Sequence, residues 1–191
     1  MTPFNLTETK EKIILETLEL IKKEGIKFSM DTLSKNLSMS KKTIYVLFED
    51  KDYLFARTID YCFDKIKEEE RKILERNDLS LDEKLKKLLA ALPDGYSEFN
   101  FHRMDKAKEK YPTAFKELKH RLEIGWEETY KLINEGIENK IFKEVNLPLF
   151  KQIFESAVES FFRTSLLDDE KIAYDEALNK LVEIMVNGIM I

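Results

Sequence analysis

Helix-breaking residues are rare in this chain, which has only five glycines and four prolines among 191 residues. Lys, Glu and Leu are abundant, and apolar residues recur at three- and four-residue spacing with no strand-like alternation. We therefore predict an all-α fold. A chain of this length can bury a substantial core, in one or two domains.

The first half of the chain predicts five helices with clear start and stop signals. Gly25 would end the first helix, while Ser29, Ser40 and Asp50 would cap the next three. Ser80 opens the fifth with a capping box completed by Glu83. The predicted spans are about 7–24, 29–37, 41–48, 51–75 and 80–93. Four residues line the inner side of the fourth helix: Phe55, Ile59, Phe63 and Ile66.

Three long helices are predicted in the second half, after a less regular stretch at 94–110. Pro112 begins a helix that would run to about Lys140, with two internal glycines that indicate close packing or a kink. The next helix would span about 146–167. The last would begin at Asp168 and Asp169 and continue to the C-terminus.

Charge is unevenly distributed along the chain. The net charge is −5. Residues 1–60 contain ten basic and ten acidic side chains, so the excess of acid lies in residues 61–191. Between Leu33 and Phe48 there are three lysines and no carboxylate. A locally basic end on an acidic body is typical of a protein that contacts nucleic acid at one end only.

The third helix has the two faces that a DNA recognition helix needs. At 100° per residue, Ile44, Leu47 and Phe48 lie on one side and would anchor it. Thr43 could contact base edges, whereas Tyr45 and the lysines could reach phosphates. Lys51, in the first turn of the next helix, is predicted to form a second phosphate site. The full set of predicted DNA contacts is Ser29, Met30, Ser40, Lys41, Lys42, Thr43, Tyr45, Val46 and Lys51.

The segment from about residue 7 to 60 resembles the TetR family of bacterial transcriptional regulators. The matching positions are Leu33, Ser34, the turn Ser38-Met39-Ser40, Thr43, Ile44, Tyr45, Phe48, Lys51 and Leu54. The spacing of Tyr45, Phe48 and Lys51 is the most specific part. Three positions depart from the family pattern: Ser38 replaces the common turn glycine, Leu37 replaces a small residue, and Leu47 stands where a phosphate-contacting His or Tyr is frequent.

The resemblance implies a helix-turn-helix DNA-binding domain at 1–50 and a ligand-binding and dimerisation domain at 51–191. The expected partners are a double-stranded operator, a second copy of the chain and a small apolar or aromatic effector. Repression would be the default activity. Expected pocket residues are Tyr96, Phe99, Phe101, Trp126, Tyr130, Phe154 and Phe161. Expected dimer contacts, on the two C-terminal helices, are Phe150, Phe162, Leu178, Leu181 and Met185.

Two other classes of protein are compatible with the composition. A small helical enzyme is disfavoured because His102, His120 and Cys62 have no recognisable catalytic or zinc spacing, so we expect no catalytic residues, metal or cofactor. A helical module that binds protein instead of DNA stays open. The single cysteine, the lack of a signal-peptide pattern and the lack of a long apolar run favour a cytoplasmic location without membrane contact.

Overall fold

A computed structural model describes residues 6–93, 108–164 and 166–191, and the predicted all-α class is confirmed in them. The helices are α1 (Leu6–Glu24), α2 (Met30–Asn36), α3 (Lys41–Phe48), α4 (Lys51–Leu74), α5 (Leu81–Leu89), α6 (Pro112–Glu123), α7 (Glu127–Glu138), α8 (Leu147–Arg163), α9 (Leu166–Asp169) and α10 (Tyr174–Ile189). A single 3₁₀ turn, Gly25–Lys27, follows α1. No helix in these ranges is long and apolar enough to cross a membrane.

The helix starts in the first half lie where the sequence predicts them. The side chains of Ser29, Ser40 and Asp50 accept hydrogen bonds from the backbone N–H groups three residues later, at 3.0, 3.1 and 2.8 Å. At α5, the N–H of Ser80 donates to the Glu83 carboxylate at 2.9 Å, as expected of a capping box. Each cap satisfies an amide that the first helical turn leaves without a partner.

Helices α1 to α4 pack around the first of two apolar cores and form the unit that we call the head. Ile13, Leu33, Ile44 and Leu54 are fully buried in this core. The core also includes Tyr111 and Ala114, at the start of α6. The head is therefore joined to the following helices by shared packing, in addition to the continuous helix α4.

The second core lies between α5, α7, α8 and α10. We call these four helices, together with α6, the body. Leu85, Ile133, Val182 and Val186 are almost fully buried there. Phe142, in the loop after α7, forms an isolated antiparallel bridge with Met190. This bridge fixes the end of α10 against the α7–α8 connection.

The predicted single helix from Pro112 to Lys140 is wrong, because it is divided into α6 and α7. The division falls at Gly125, whose φ of 78° lies in the left-handed region that a helix cannot include. Lys67 of α4 donates a 2.8 Å hydrogen bond to the Gly125 carbonyl. The apolar spacing continues through the break because both helices bury the same side of the chain. Gly136, by contrast, lies inside α7 and allows the Phe142 ring to pack closely.

Three other predicted boundaries also need correction. Helix α5 ends at Leu89, ahead of the predicted stop at Pro93. Helix α8 ends at Arg163, because Thr164 adopts an extended conformation with φ −111° and ψ 166°. Asp169 belongs to the short helix α9, and the last long helix begins at Tyr174 instead of at Asp168 and Asp169.

We predict that Gly136→Ala destabilises the protein although alanine favours helices. A Cβ atom at this position would lie 2.0 Å from a ring carbon of Phe142. The ring must move, and overpacking of this kind typically costs about 1–3 kcal/mol. Gly188→Ala is the matched control, since nothing lies within 4 Å of its added Cβ and it should gain about 0.5–1 kcal/mol. Urea unfolding measures both, and equal stabilisation by the two variants would contradict the packing.

Candidate nucleic-acid interface and interior cavity

Helix α3 presents a polar and apolar outer surface while its inner face is buried. Ile44 and Phe48 are buried in the head core, whereas Tyr45 and Val46 are 41% and 74% exposed. Lys42, on the same helix, is also exposed. The side chains therefore point as the helical spacing predicts. We call the surface formed by Lys41, Lys42, Thr43, Tyr45 and Val46 the α3 surface.

The residues at the helix starts beside this surface are engaged in local hydrogen bonds. The hydroxyl oxygens of Ser40 and Thr43 lie 2.8 Å apart, and those of Ser29 and Thr32 lie 2.9 Å apart. Met30 is partly buried and packs against the head core. Thr43 is partly buried, and its backbone N–H group donates a hydrogen bond to the Ser40 hydroxyl, so the cap of α3 fixes its position.

The two lysines of the α3 surface differ in their surroundings. The ammonium group of Lys41 lies 2.5 Å from the Asp31 carboxylate, in the first turn of α2. Lys42 forms no ion pair with another described residue. A phosphate would have to compete with Asp31 for Lys41, whereas it could approach Lys42 without displacing a carboxylate. Lys42 is therefore the stronger candidate for a phosphate contact.

Lys51 does not form the outward phosphate site predicted from the sequence. Its ammonium group donates hydrogen bonds to the carbonyl oxygens of Ile26, at 2.9 Å, and of Phe28. It also lies 3.9 Å from the centroid of the Phe28 ring. Burial and the neighbouring Lys110 lower the pKa of Lys51 to about 8. The prediction for Lys51 is therefore corrected: its N–H groups donate to the α1–α2 connection and hold this connection against the start of α4. We call these contacts the Lys51 clamp.

Two of the family departures have visible structural consequences. Ser38 has a φ of 51°, so the turn between α2 and α3 does use the left-handed conformation in which glycine is favoured. Leu47 is partly buried and packs against the head core. The position that often contacts phosphate in the family therefore contributes to packing in this chain.

Polar contacts join α4 to α6 along one side of each helix. The two carboxylate oxygens of Asp52 accept hydrogen bonds from the backbone N–H groups of Thr113 and Ala114, both at 2.9 Å. Farther along, the Arg121 guanidinium group donates to Asp60 and, at 2.8 Å, to Asp64. These contacts attach α6 to α4, which also belongs to the head.

A cavity of about 210 Å³ lies between the head and the body. One face of α4 lines it from Phe55 to Glu70, a helical rise of about 22 Å. Leu18 and Ile21 of α1 line its head end, together with Ile26 of the 3₁₀ turn. A molecule inside the cavity would therefore touch residues of the head as well as residues of the body.

The predicted pocket residues are only partly those that line the cavity. Trp126 and Phe154 line it, and their rings pack edge to face with centroids 5.4 Å apart. Tyr130 and Phe161 do not line it. Tyr96, Phe99 and Phe101 lie outside the described residues. Five aromatic residues that line the cavity were not among those predicted: Phe55, Phe63, Tyr111, Phe115 and Tyr174. Two of them, Phe55 and Phe63, belong to the predicted inner stripe of α4.

Two charged residues that line the cavity, Lys67 and Glu70, form an ion pair with each other. Lys67 donates a 2.6 Å hydrogen bond to Glu70, and burial raises the pKa of the Glu70 carboxyl. Burial likewise raises the pKa of the Tyr174 hydroxyl. Nowhere in the described ranges do His, Cys, Asp and Glu side chains cluster in a way that could hold a metal ion.

Three predicted dimer residues belong to the core of the single chain. Phe150, Leu178 and Met185 are only 4%, 4% and 8% exposed, so the prediction for them is wrong. They pack in the second core because the wide apolar stripes of α8 and α10 face the body itself. Leu181 is partly buried there, and the side chain of Phe162 lies outside the described part. Among the described side chains of these two helices, the large apolar residues that are exposed are Leu149, Ile153 and Ile184.

Comparison with known proteins identifies similar regulators. No protein-family model matches the chain. It is 27% identical over 179 residues to YvaF of Bacillus subtilis, an uncharacterized HTH-type transcriptional regulator, with 94% of each chain covered. A TetR transcription regulator from Haloarcula marismortui has a TM-score of 0.70 at 16% identity, with 97% of this chain and 100% of that chain covered. FadR from Bacillus subtilis, solved in complex with stearoyl-CoA, has a TM-score of 0.59 at 21% identity, with 94% and 98% covered.

The solved structures confirm, for the fold, the resemblance to TetR-family regulators predicted from the head motif. The solved structures extend it to the fold of almost the whole chain, beyond the segment that carries the motif. The individual DNA contacts on the α3 surface stay predictions.

We predict that Lys51→Met lowers the free energy of unfolding by about 1–3 kcal/mol, because two partly buried carbonyl groups lose their donor. Lys42→Met, on the exposed α3 surface, should change it by less than about 0.5 kcal/mol. Because the folded-state pKa of Lys51 is about 8 against 10.5 ordinarily, the unfolded chain binds more protons between these values. Wild-type stability should therefore rise with pH in this window relative to Lys51→Met. Equal stability of the two variants would contradict the clamp.

Proposed function

We propose that this chain is a ligand-responsive transcriptional regulator that binds duplex DNA through the α3 surface. The observation that carries the proposal is the division of α3 into a buried anchoring face and an exposed face with Lys42, Tyr45 and Val46. The similar proteins named above are transcriptional regulators, which supports the same function here.

The chemistry of the α3 surface suits the major groove. Lys42 and the Tyr45 hydroxyl would contact phosphates and position the helix. The methyl groups of Val46 and Thr43 would contact base edges, where the thymine methyl group is the natural apolar partner. The Ser40 cap holds Thr43 in place, so this readout would be made by a rigid helix start.

A dimer would place two heads on one duplex. Two recognition helices read successive major-groove faces when they lie roughly 34–36 Å apart, and a two-fold axis then implies a palindromic operator. We place the dimer contact on α8 and α10, whose outer faces expose Leu149, Ile153 and Ile184.

The cavity supplies the response to a ligand. Its walls include Leu18 and Ile21 of α1 and a long face of α4, so an occupant would press on the packing between these two helices. A change in the packing angle between α1 and α4 would alter the distance between the two heads of the dimer. A coupling of about 1–3 kcal/mol would then release the DNA, which corresponds to repression relieved by an effector. The stearoyl-CoA complex of FadR supports a ligand with a long apolar part.

We predict that binding to a mixed-sequence duplex weakens steeply with salt and that Lys42→Ala flattens this dependence. Each lost phosphate contact should reduce the slope of log K against log salt concentration by about 0.9. Lys131→Ala is the matched control, because Lys131 is an exposed lysine on α7, in the body. Fluorescence anisotropy from low to moderate salt measures the slopes. Absence of binding at low salt would refute the DNA-binding proposal.

The dimer proposal predicts that Ile184→Glu produces a monomer. Ile184 is 73% exposed on α10, so the change should leave the fold of the single chain intact while it places charge in the interface. Leu15→Glu, at an exposed position of α1, should stay dimeric. Sedimentation velocity distinguishes the species. A dimeric Ile184→Glu variant would remove α10 from the interface.

A further inference from the structure

The part of the cavity wall formed by α4 changes from uncharged to charged along the helix. From Phe55 to Ile66, the α4 residues that line the cavity have uncharged side chains. The next two lining residues of α4 are the ion pair of Lys67 and Glu70. A molecule in the cavity would therefore meet mainly apolar groups near the head and this ion pair at the other end.

The charged end of the cavity wall is also the end that is accessible to solvent. Leu18, Phe55 and Tyr111, which line the head end, are buried. At the other end Ile124, in the connection between α6 and α7, is 44% exposed, and the side chain of Lys67 is 39% exposed. In the described part of the lining, the opening of the cavity therefore lies beside the α6–α7 connection. A charged end group placed at this opening keeps part of its hydration, so its desolvation costs less than it would deep in the cavity.

Lys67 has a donor to offer a ligand at this opening. A lysine ammonium group carries three N–H donors. Lys67 uses one for Glu70, at 2.6 Å, and one for the Gly125 carbonyl, at 2.8 Å. No described residue accepts a third hydrogen bond from it. Because the side chain is partly exposed, an acceptor group can reach Lys67 without displacing the Gly125 carbonyl.

The charges of the lining favour an anionic end group over a cationic one. Among the described lining residues, Lys67 and Arg121 are cations and Glu70 is the one anion. The Glu70 side chain is only 16% exposed, and burial raises the pKa of its carboxyl, which favours the neutral form. A cationic ligand would compete with Lys67 for Glu70 and would lie beside a like charge. An anionic ligand would instead gain the accessible ammonium group of Lys67 as a partner.

Resting on the proposed regulatory function, we propose that the effector is an apolar compound with one anionic group at its end. The anionic group lies at the opening beside the α6–α7 connection and accepts a hydrogen bond from Lys67. The apolar part extends along α4 towards Leu18 and Ile21 of the head. The charge and the orientation of the effector are thereby assigned, and Lys67 becomes a ligand contact.

Decanoate, decanol and decylammonium test the end group, because they share one apolar chain and differ in charge. Trp126 is the only tryptophan of the chain and lines the cavity, so its emission reports binding. We expect decanoate to change the emission saturably and to bind at least about tenfold more tightly than decylammonium at neutral pH. Equal or tighter binding of decylammonium, or no saturable binding of decanoate, would overturn the proposal.

Lys67→Gln tests the contact with the anionic group, because it removes the charge and keeps an N–H donor for the Gly125 carbonyl. We expect decanoate binding to weaken by about 3- to 10-fold while decanol binding changes by less than about twofold. A general change in the fold would affect both ligands, so the comparison isolates the charge. Lys65→Gln, on α4 but outside the cavity lining and paired with Glu68, should bind both ligands as the wild type does. Equal effects of Lys67→Gln on the two ligands would overturn the assignment.

Bromine quenching of Trp126 tests the orientation, because this residue follows Gly125 at the opening. Bromine quenches tryptophan emission only at short range. We expect decanoate brominated beside the carboxylate to quench Trp126 more strongly at saturation than decanoate brominated at the far end of its chain. Equal or stronger quenching by the second compound would overturn the orientation. Duplex binding without ligand, measured in parallel, shows separately whether the regulatory function fails.

Discussion

Two adjacent side chains in the first turn of α4 determine how the head and the body are joined. Lys51 donates to the carbonyl groups of the α1–α2 connection, and Asp52 accepts from the free amides at the start of α6. Both neighbours are thereby fixed to the same helical turn. The groups involved would otherwise be partly buried without partners, so the arrangement is enforced by the cost of desolvation.

Because of these hydrogen bonds, the head and the walls of the cavity are packed against the same helix, α4. The cavity extends along α4 and ends against α1, while the Arg121 contacts keep α6 parallel to its neighbour. An occupant that contacts α6 would therefore lie against a helix whose first turn is hydrogen-bonded to the start of α4. The first core even includes Tyr111 and Ala114 of α6, so the head does not pack independently of the body.

Signals confined to a few neighbouring residues were predicted well from the sequence. The caps at Ser29, Ser40 and Asp50 depend on one side chain and an amide three residues away, and each lies where the pattern places it. Periodicity alone could not locate the breaks at Gly125 and Thr164, because apolar spacing continues across them. The roles of Phe150, Leu178 and Met185 were mistaken for the same reason, since a wide apolar stripe does not say which partner covers it.

The sequence by itself determined the all-α class, the head motif and the outward face of α3, because these follow from helical spacing and local capping. Only the tertiary structure decided that Lys51 faces inward, that Tyr111 is buried beside a cavity, and that α1 forms part of the cavity wall. Each of these facts depends on groups that are distant along the chain and meet only after packing. The direction of a long side chain is set by whichever carbonyl, ring or carboxylate the fold brings within its reach.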